Sequence, residues 1–150
     1  MNPEVIINRL TASECVACSG LLAQQLTEHD VSTSPEPLAK LMRQLVEQPD
    51  HGFVLTAKME GALVGLAYMA YILSAEHCGK EAWLEELFVL PAFRGRGIGE
   101  SLLDATLETA AGEGARAVDL EIDSGHDRVA SLHRRSGFTA LNRSRWFKTL

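Results

Sequence analysis

The sequence predicts an α/β fold in which strands and helices alternate along the chain, and three observations predict it. Apolar residues recur at two different periods. Val118, Leu120 and Ile122 alternate with Asp119, Glu121 and Asp123, as on a half-buried strand, whereas Leu38, Leu41, Met42 and Leu45 are spaced three and four apart, as on an amphipathic helix. The run Trp83-Leu84-Glu85-Glu86-Leu87-Phe88-Val89 reads as a strand that passes through Pro91 and three alternate glycines into a second amphipathic helix. Finally, 46% of the 150 residues are hydrophobic, enough for the core of one globular domain spanning 1–150. No internal repeat, low-complexity tract or linker interrupts it.

Taken in order, Val5-Ile6-Ile7-Asn8-Arg9-Leu10 is the first expected strand. Thr11 with Glu14 three residues later has the form of a capping box, opening a helix that runs to about Glu28. A second helix starts after Pro35 and is stopped by Pro49-Asp50. Strands over 53–58 and 63–71 flank Met59-Glu60-Gly61-Ala62, a hairpin signal. After the strand at 83–89, the next helix buries Leu102, Leu103, Leu107 and Ala110, exposes Glu100, Asp104 and Glu108, and ends at Gly112 and Gly114. The strand around 118–122 follows, then a short helix over 128–136 stopped by Gly137. Two terminal strands are expected, near 138–141 and 145–150. The resulting order is β-α-α-β-β-β-α-β-α-β-β.

Composition excludes several classes of function. A formal net charge of -6 argues against nucleic acid, whose binding needs a cationic footprint, and favours attraction of a cationic amine. No stretch approaches the ~18 unbroken apolar residues of a membrane span, and Met1-Asn2-Pro3-Glu4 has neither the basic nor the apolar region of a secretion signal. A cytoplasmic location is expected. Cys15 and Cys18 match C-x-x-C, but they fall inside an expected helix with no second ligand pair, and Cys78 beside His77 completes no site. Buried reduced thiols are expected, with no metal.

The segment Arg94-Gly95-Arg96-Gly97-Ile98-Gly99 carries the chemistry. Without side chains at alternate positions, backbone N–H groups approach a ligand closely, and they lie where a helix begins and its dipole favours negative charge. A pyrophosphate suits such a seat, with Arg94 and Arg96 as flanking cations. The nucleoside-triphosphate loop G-x-x-x-x-G-K-[ST] is excluded, because Glu100, Ser101 and Leu102 stand where its last residues would fall. The dinucleotide pattern G-x-G-x-x-G begins at Gly95 and Gly97 but meets Glu100 at its third glycine.

Arg94-x-x-Gly97-x-Gly99 instead resembles the Q/R-x-x-G-x-G/A signature of the GNAT superfamily of acetyl-CoA-dependent N-acetyltransferases. The strand before it is similar to the superfamily's acetyl-CoA-carrying strand. Ala130-Ser131-Leu132-His133-Arg134-Arg135-Ser136-Gly137-Phe138 resembles its second motif, about forty residues on. The element order matches as well, so the resemblance covers nearly the whole chain. It implies a mixed sheet splayed between its fourth and fifth strands. It also implies acetyl-CoA as co-substrate, held by Leu87, Phe88 and Val89 along the strand and by Arg94, Gly95, Arg96, Gly97, Ile98 and Gly99 at its phosphates. His126 stands where many relatives carry a cofactor-fixing asparagine.

Transfer to an amine requires a neutral nucleophile, and an alkylammonium near pKa ~10 must first lose a proton. Glu85 and Glu86 are the candidate bases. Strict alternation would place Glu85 with Leu87 and Val89, and Glu86 with Leu84 and Phe88. Similarity to the Leu-Glu-Asp-x-x-Val strand of diamine and polyamine acetyltransferases favours Glu85. In the superfamily a tyrosine four residues before Gly-Phe usually meets the departing thiolate; the residue here is His133, a possible acid in its place. Tyr68 and Tyr71 on the preceding strand are within reach of a cleft without being singled out. Substrate choice is expected to depend on the two N-terminal helices and their connection, residues 28–37, and the basic, aromatic group Arg143, Arg145, Trp146 and Lys148 suits a carboxylate-bearing substrate, a second subunit or water.

The resemblance implies direct transfer in a ternary complex to a small-molecule or peptide amine, and a homodimer. Two other readings fit the same loop: a non-catalytic acyl-CoA-binding or sensing module, and an acetyltransferase of protein N-termini or lysines.

Overall fold

A computed structural model describes residues 4–150; Met1, Asn2 and Pro3, part of the N-terminal stretch considered above, lie outside the described residues. The order of elements is β1 (Val5–Arg9), α1 (Cys15–Glu28), α2 (Pro35–Glu47), β2 (Gly52–Met59), β3 (Ala62–Ser74), β4 (Gly79–Val89), α3 (Ile98–Gly112), β5 (Val118–Leu120) and α4 (Asp127–Arg135). The strands form one sheet in the order β1-β2-β3-β4-β5. All neighbours are antiparallel except β4 and β5, which run parallel because α3 carries the chain back between them. The mixed α/β class is as expected.

Side-chain alternation gives each sheet face its own core. On one face α1 and α2 bury Cys15, Cys18, Leu22, Leu38, Met42 and Leu45 against Val54, Leu66 and Phe88. On the other, α3 buries Ile98, Leu102, Leu103 and Ala110 against Phe53, Leu55, Ala57, Met69 and Leu84. Pro35 is the first residue of α2, as expected; Thr11 precedes a 3-10 turn, Ala12–Glu14, that runs into α1, but its Oγ1 donates to Glu14 Oε1 at 2.6 Å rather than bonding a backbone amide, so the capping box itself does not form. The β2–β3 turn places Glu60 and Gly61 at φ of 50° and 81°, the left-handed pair that suits a tight hairpin. The two helix cysteines are packing residues: Cys18 Sγ lies 4.0 Å from Met42 Sδ, and burial pushes its thiol up to about 12. Met42 is fully buried between the two helices and the sheet, so Met42→Ala should destabilise by about 3 kcal/mol, lowering Tm by roughly 6–12 °C in a thermal melt.

Two further expectations are corrected. The terminal strands at 138–141 and 145–150 do not form, and β5 is three residues long, without Ile122. A strand needs a partner edge and one buried face, and β5 offers only a short edge. The closing segment buries neither face, since the adjacent Trp146 and Phe147 are both 89% exposed. Charge contacts hold it down instead: Arg143 pairs with Glu76 on the β3–β4 turn, while Arg145 pairs with Glu121 and stacks on Trp83, 5.0 Å from its ring.

The second correction concerns faces. Pairing of β3 with β4 matches Tyr68 to Glu86 but Met69 to Leu84, leaving Glu85 as an extra, unmatched residue. This bulge shifts the alternation by one. Leu84 therefore joins Leu87 and Val89 in the α3 core rather than sharing a face with Glu86 and Phe88.

Candidate active site

The bulge sits where the sheet opens. Parallel pairing of β4 with β5 covers only Ala82 with Val118, Trp83 with Asp119 and Leu84 with Leu120. From Glu85 to Val89 the β5-facing edge of β4 has no strand partner among the described residues. Unpaired backbone groups along a strand edge are ready to bond an extended ligand as an added strand would. The splay between the fourth and fifth strands is present.

At the end of that edge the chain turns through residues 90–97 into α3. Gly95 and Gly97 have φ of 75° and 79°, and a β-carbon at either would meet open space rather than protein. None of the six backbone N–H groups from Gly95 to Glu100 has a backbone acceptor; the first bond of the helix is Ser101 N–H to the Gly97 carbonyl at 3.0 Å. A glycine turn with that row of free donors at the positive end of a fifteen-residue helix fits a diphosphate. Arg94 anchors the turn. Its Nε donates to the Val89 carbonyl at 2.8 Å, its guanidinium lies 5.5 Å from the Phe88 ring, and it pairs with Glu28 at 3.0 Å. Arg96 lies beside Phe93 and remains exposed. Ile98 is a buried core residue, so any contact it makes with a ligand is through its backbone.

Glu85 and Glu86 leave the strand at the start of the opening, opposite Tyr68. Burial pushes the Tyr68 hydroxyl up, and both carboxylates push it further. Glu85 is exposed at its tip, yet loss of water around it raises its carboxyl above the ordinary value, with the Arg145 guanidinium opposing. Glu86 is more enclosed. Burial raises it first; a hydrogen bond from Gln25 Nε2 at 3.0 Å and the nearby His29 pull the other way, while Glu85 and Asp123 add to the rise. Burial raises both carboxyls at this open strand edge, and Glu85, which has no hydrogen bond to a side chain among the described residues, is the one suited to take up a proton.

The end of α1 roofs this edge. Gln25 reaches Glu86, Glu28 reaches Arg94, and His29 Nδ1 lies 2.9 Å from Asp123 Oδ2 beyond β5. His126, the residue before α4, is exposed, with its ring 6.0 Å from that of His29. The structure thus gathers Glu85, Glu86, the glycine turn and His126 around the opening. The His133 side chain makes no hydrogen bond to this polar set. It is 5% exposed in α4, packs edge-on against Phe138 at 5.5 Å, and leaves Nδ1 buried without a hydrogen-bond partner.

Burial holds the His133 imidazole below its usual pKa of 6.5. The unfolded chain therefore takes up this proton more readily, and stability is lost as pH falls from above 6.5 through the folded-state pKa. The Tm should drop between pH 7.5 and 5.5 in the native protein, and His133→Phe should flatten that dependence. An unchanged slope would place the imidazole in contact with water.

Gln25 and Asp123 are the site residues that the sequence reading missed. Gln25 had a signal, since a glutamine occupies the buried stripe Cys15, Cys18, Leu22 where an apolar residue is the norm. Asp123 reads as one more polar position of an alternating strand. No group of three or more His, Cys, Asp or Glu side chains is placed to hold a metal ion among the described residues. No helix among them is long and apolar enough to cross a membrane.

Comparison with known proteins identifies the family. The family profile described as "Acetyltransferase (GNAT) family" matches residues 21–138. The chain is 31% identical over 145 residues to N-alpha-acetyltransferase RimI of Mycobacterium tuberculosis, a match covering 96% of this chain and 85% of that one. Aminoglycoside N-acetyltransferase AAC(6')-Iy, solved in complex with CoA, superposes with a TM-score of 0.84 over 99% of this chain and 97% of its own, at 20% identity. A ribosomal-protein-alanine N-acetyltransferase from Brucella melitensis biovar Abortus superposes at 0.79 over 98% and 99%, at 18% identity. The chain belongs to the GNAT acetyltransferase family and is an acetyl-CoA-dependent N-acetyltransferase.

Proposed function

We propose that this protein, with 1–150 as one catalytic domain, acetylates the α-amino group of a peptide or protein by direct transfer in a ternary complex. The observation that carries the reading is the opening of β4 from Glu85 to Val89, with the carboxylates at one end and the free amides of the glycine turn at the other. The likeness to RimI across 96% of the chain supports a peptide acceptor. When bound, acetyl-CoA supplies a thioester carbonyl open to attack by an amine.

The chain's own residues do the rest. The amides of Gly95, Arg96, Gly97, Ile98 and Gly99 hold the diphosphate, and Arg94 and Arg96 neutralise it. The backbone of Leu87, Phe88 and Val89 aligns the pantetheine arm as an added strand. Glu85, freed from pairing by the bulge, takes the proton from the incoming ammonium. Glu86 attracts that ammonium into the opening. His133 takes the place of the usual tyrosine; low basicity keeps it neutral at pH 7, and a neutral imidazole N–H still donates a hydrogen bond to sulfur. His126 closes the far lip. The protein acts as a homodimer, a reading that rests on the family alone.

Competition tests the acceptor. Equimolar peptides with free α-amines, a diamine and an aminoglycoside are mixed with the enzyme and acetyl-CoA, and the products are resolved by mass spectrometry. Preferential acetylation of peptide α-amines is expected. Preference for the diamine or the aminoglycoside would overturn the peptide assignment and leave the transfer chemistry standing.

A further inference from the structure

Gln25 is out of place in a core. It occupies the buried stripe of α1 one turn after Leu22 and is only 8% exposed, yet it carries two donors and an acceptor that must be satisfied. Its Nε2 donates to Glu86 Oε2 at 3.0 Å, and this is the only hydrogen bond the Glu86 carboxylate makes to a side chain among the described residues. Glu85, one residue earlier, has no such bond and protrudes at the bulge. The two neighbouring carboxylates are thus held differently, one fixed from the helix roof and one free to move.

We propose that Gln25 is a positioning residue that holds the Glu86 carboxylate ionised and fixed at the opening of β4, so that Glu86 anchors the acceptor's ammonium while Glu85 moves its proton. The assignment rests on the acceptor reading of that opening given above. An amide N–H bonded to a carboxylate favours its charged form. The charged and titratable groups around Glu86 are His29 just after α1, Tyr68 on β3, Glu85 on β4 and Asp123 after β5. Three of these are acids, so the amide and His29 are what oppose protonation of Glu86.

NMR of the full chain tests the link without relying on turnover. With carbon-13 in glutamate side chains, the Glu86 carboxyl signal is identified by its absence in Glu86→Gln and titrated. Gln25→Met, which keeps length and removes the donor, should raise the Glu86 midpoint; Gln25→Glu, which adds a facing carboxylate, should raise it further. In the unsubstituted protein the Gln25 side-chain amide signals should move at the Glu86 midpoint and stop doing so in Glu86→Gln, a readout that needs no substitution at Gln25. Kinetically, Gln25→Met should raise KM for the amine about tenfold with kcat and acetyl-CoA affinity little changed. A Glu86 midpoint unmoved by Gln25→Met, or amide signals blind to Glu86, would overturn the proposal, and so would a fall in kcat with KM unchanged. Coupled titrations in a protein that acetylates no amine would overturn the acceptor reading instead, leaving the Gln25–Glu86 link in place.

Discussion

Gly97→Glu should abolish acetyl-CoA binding, reducing affinity by about a hundredfold or more in a calorimetric titration. Two effects combine at this position. Gly97 has φ of 79°, where a side chain costs roughly 1–2 kcal/mol of backbone strain. That term weakens folding slightly and is shared by Gly97→Ala. The carboxylate adds a negative charge beside the free amides from Gly95 to Glu100, the seat proposed for the diphosphate, and like charges brought together cost several kcal/mol. About 3 kcal/mol already amounts to a hundredfold. Beyond its chain neighbours, nothing among the described residues lies within 4 Å of a β-carbon at Gly97, so the fold should survive, and Gly97→Ala should bind measurably better than Gly97→Glu. Equal affinity in all three proteins would remove the glycine turn from the binding site.

Glu85→Gln should lower kcat by about a hundredfold or more while leaving acetyl-CoA affinity unchanged, the usual size of a lost general base. The pH dependence carries the sign. Partial burial raises the Glu85 carboxyl above the ordinary value, so activity in the native protein should fall on the acid side above pH 4.5, as Glu85 gains a proton. That limb should disappear in Glu85→Gln, leaving only the acceptor's own titration. An arylamine, already neutral at pH 7, should lose much less activity than an alkylamine. If both acceptors lose activity equally, Glu85 orients the substrate rather than removing its proton.

The elements with strong local signals were legible in the sequence. Pro35, the Thr11–Glu14 pair, the Glu60-Gly61 turn and the glycines after α3 and α4 mark boundaries through backbone restrictions that act within a few residues. The glycine turn was legible for the same reason, since free donors at a helix start follow from residue type and spacing. The face assignment of Glu85 and Glu86 was not. It depends on a bulge set by pairing between β3 and β4, and neither strand's own pattern of residues reveals it. The expected terminal strands failed for a related reason: the apolar residues Trp146 and Phe147 suggest a strand, but a strand also needs an edge, and three-residue β5 does not supply one. His133 was visible through its position before Gly137-Phe138, whereas its burial against Phe138 and its unpartnered Nδ1 belong to the packed structure. Asp123 meets His29 only because α1 crosses the opening.

The opened edge of β4 and the glycine turn are proposed to form one site for acetyl transfer to an amine. The most direct measurement follows free thiol and acetylated product together, with acetyl-CoA and a panel of peptide and small-molecule amines. One thiol per acetylated amine is expected, with release that depends on the amine and loss of both signals in Gly97→Glu. Tight binding of acetyl-CoA, sensitive to Gly97→Glu, with no acetylated product from any amine, would contradict it.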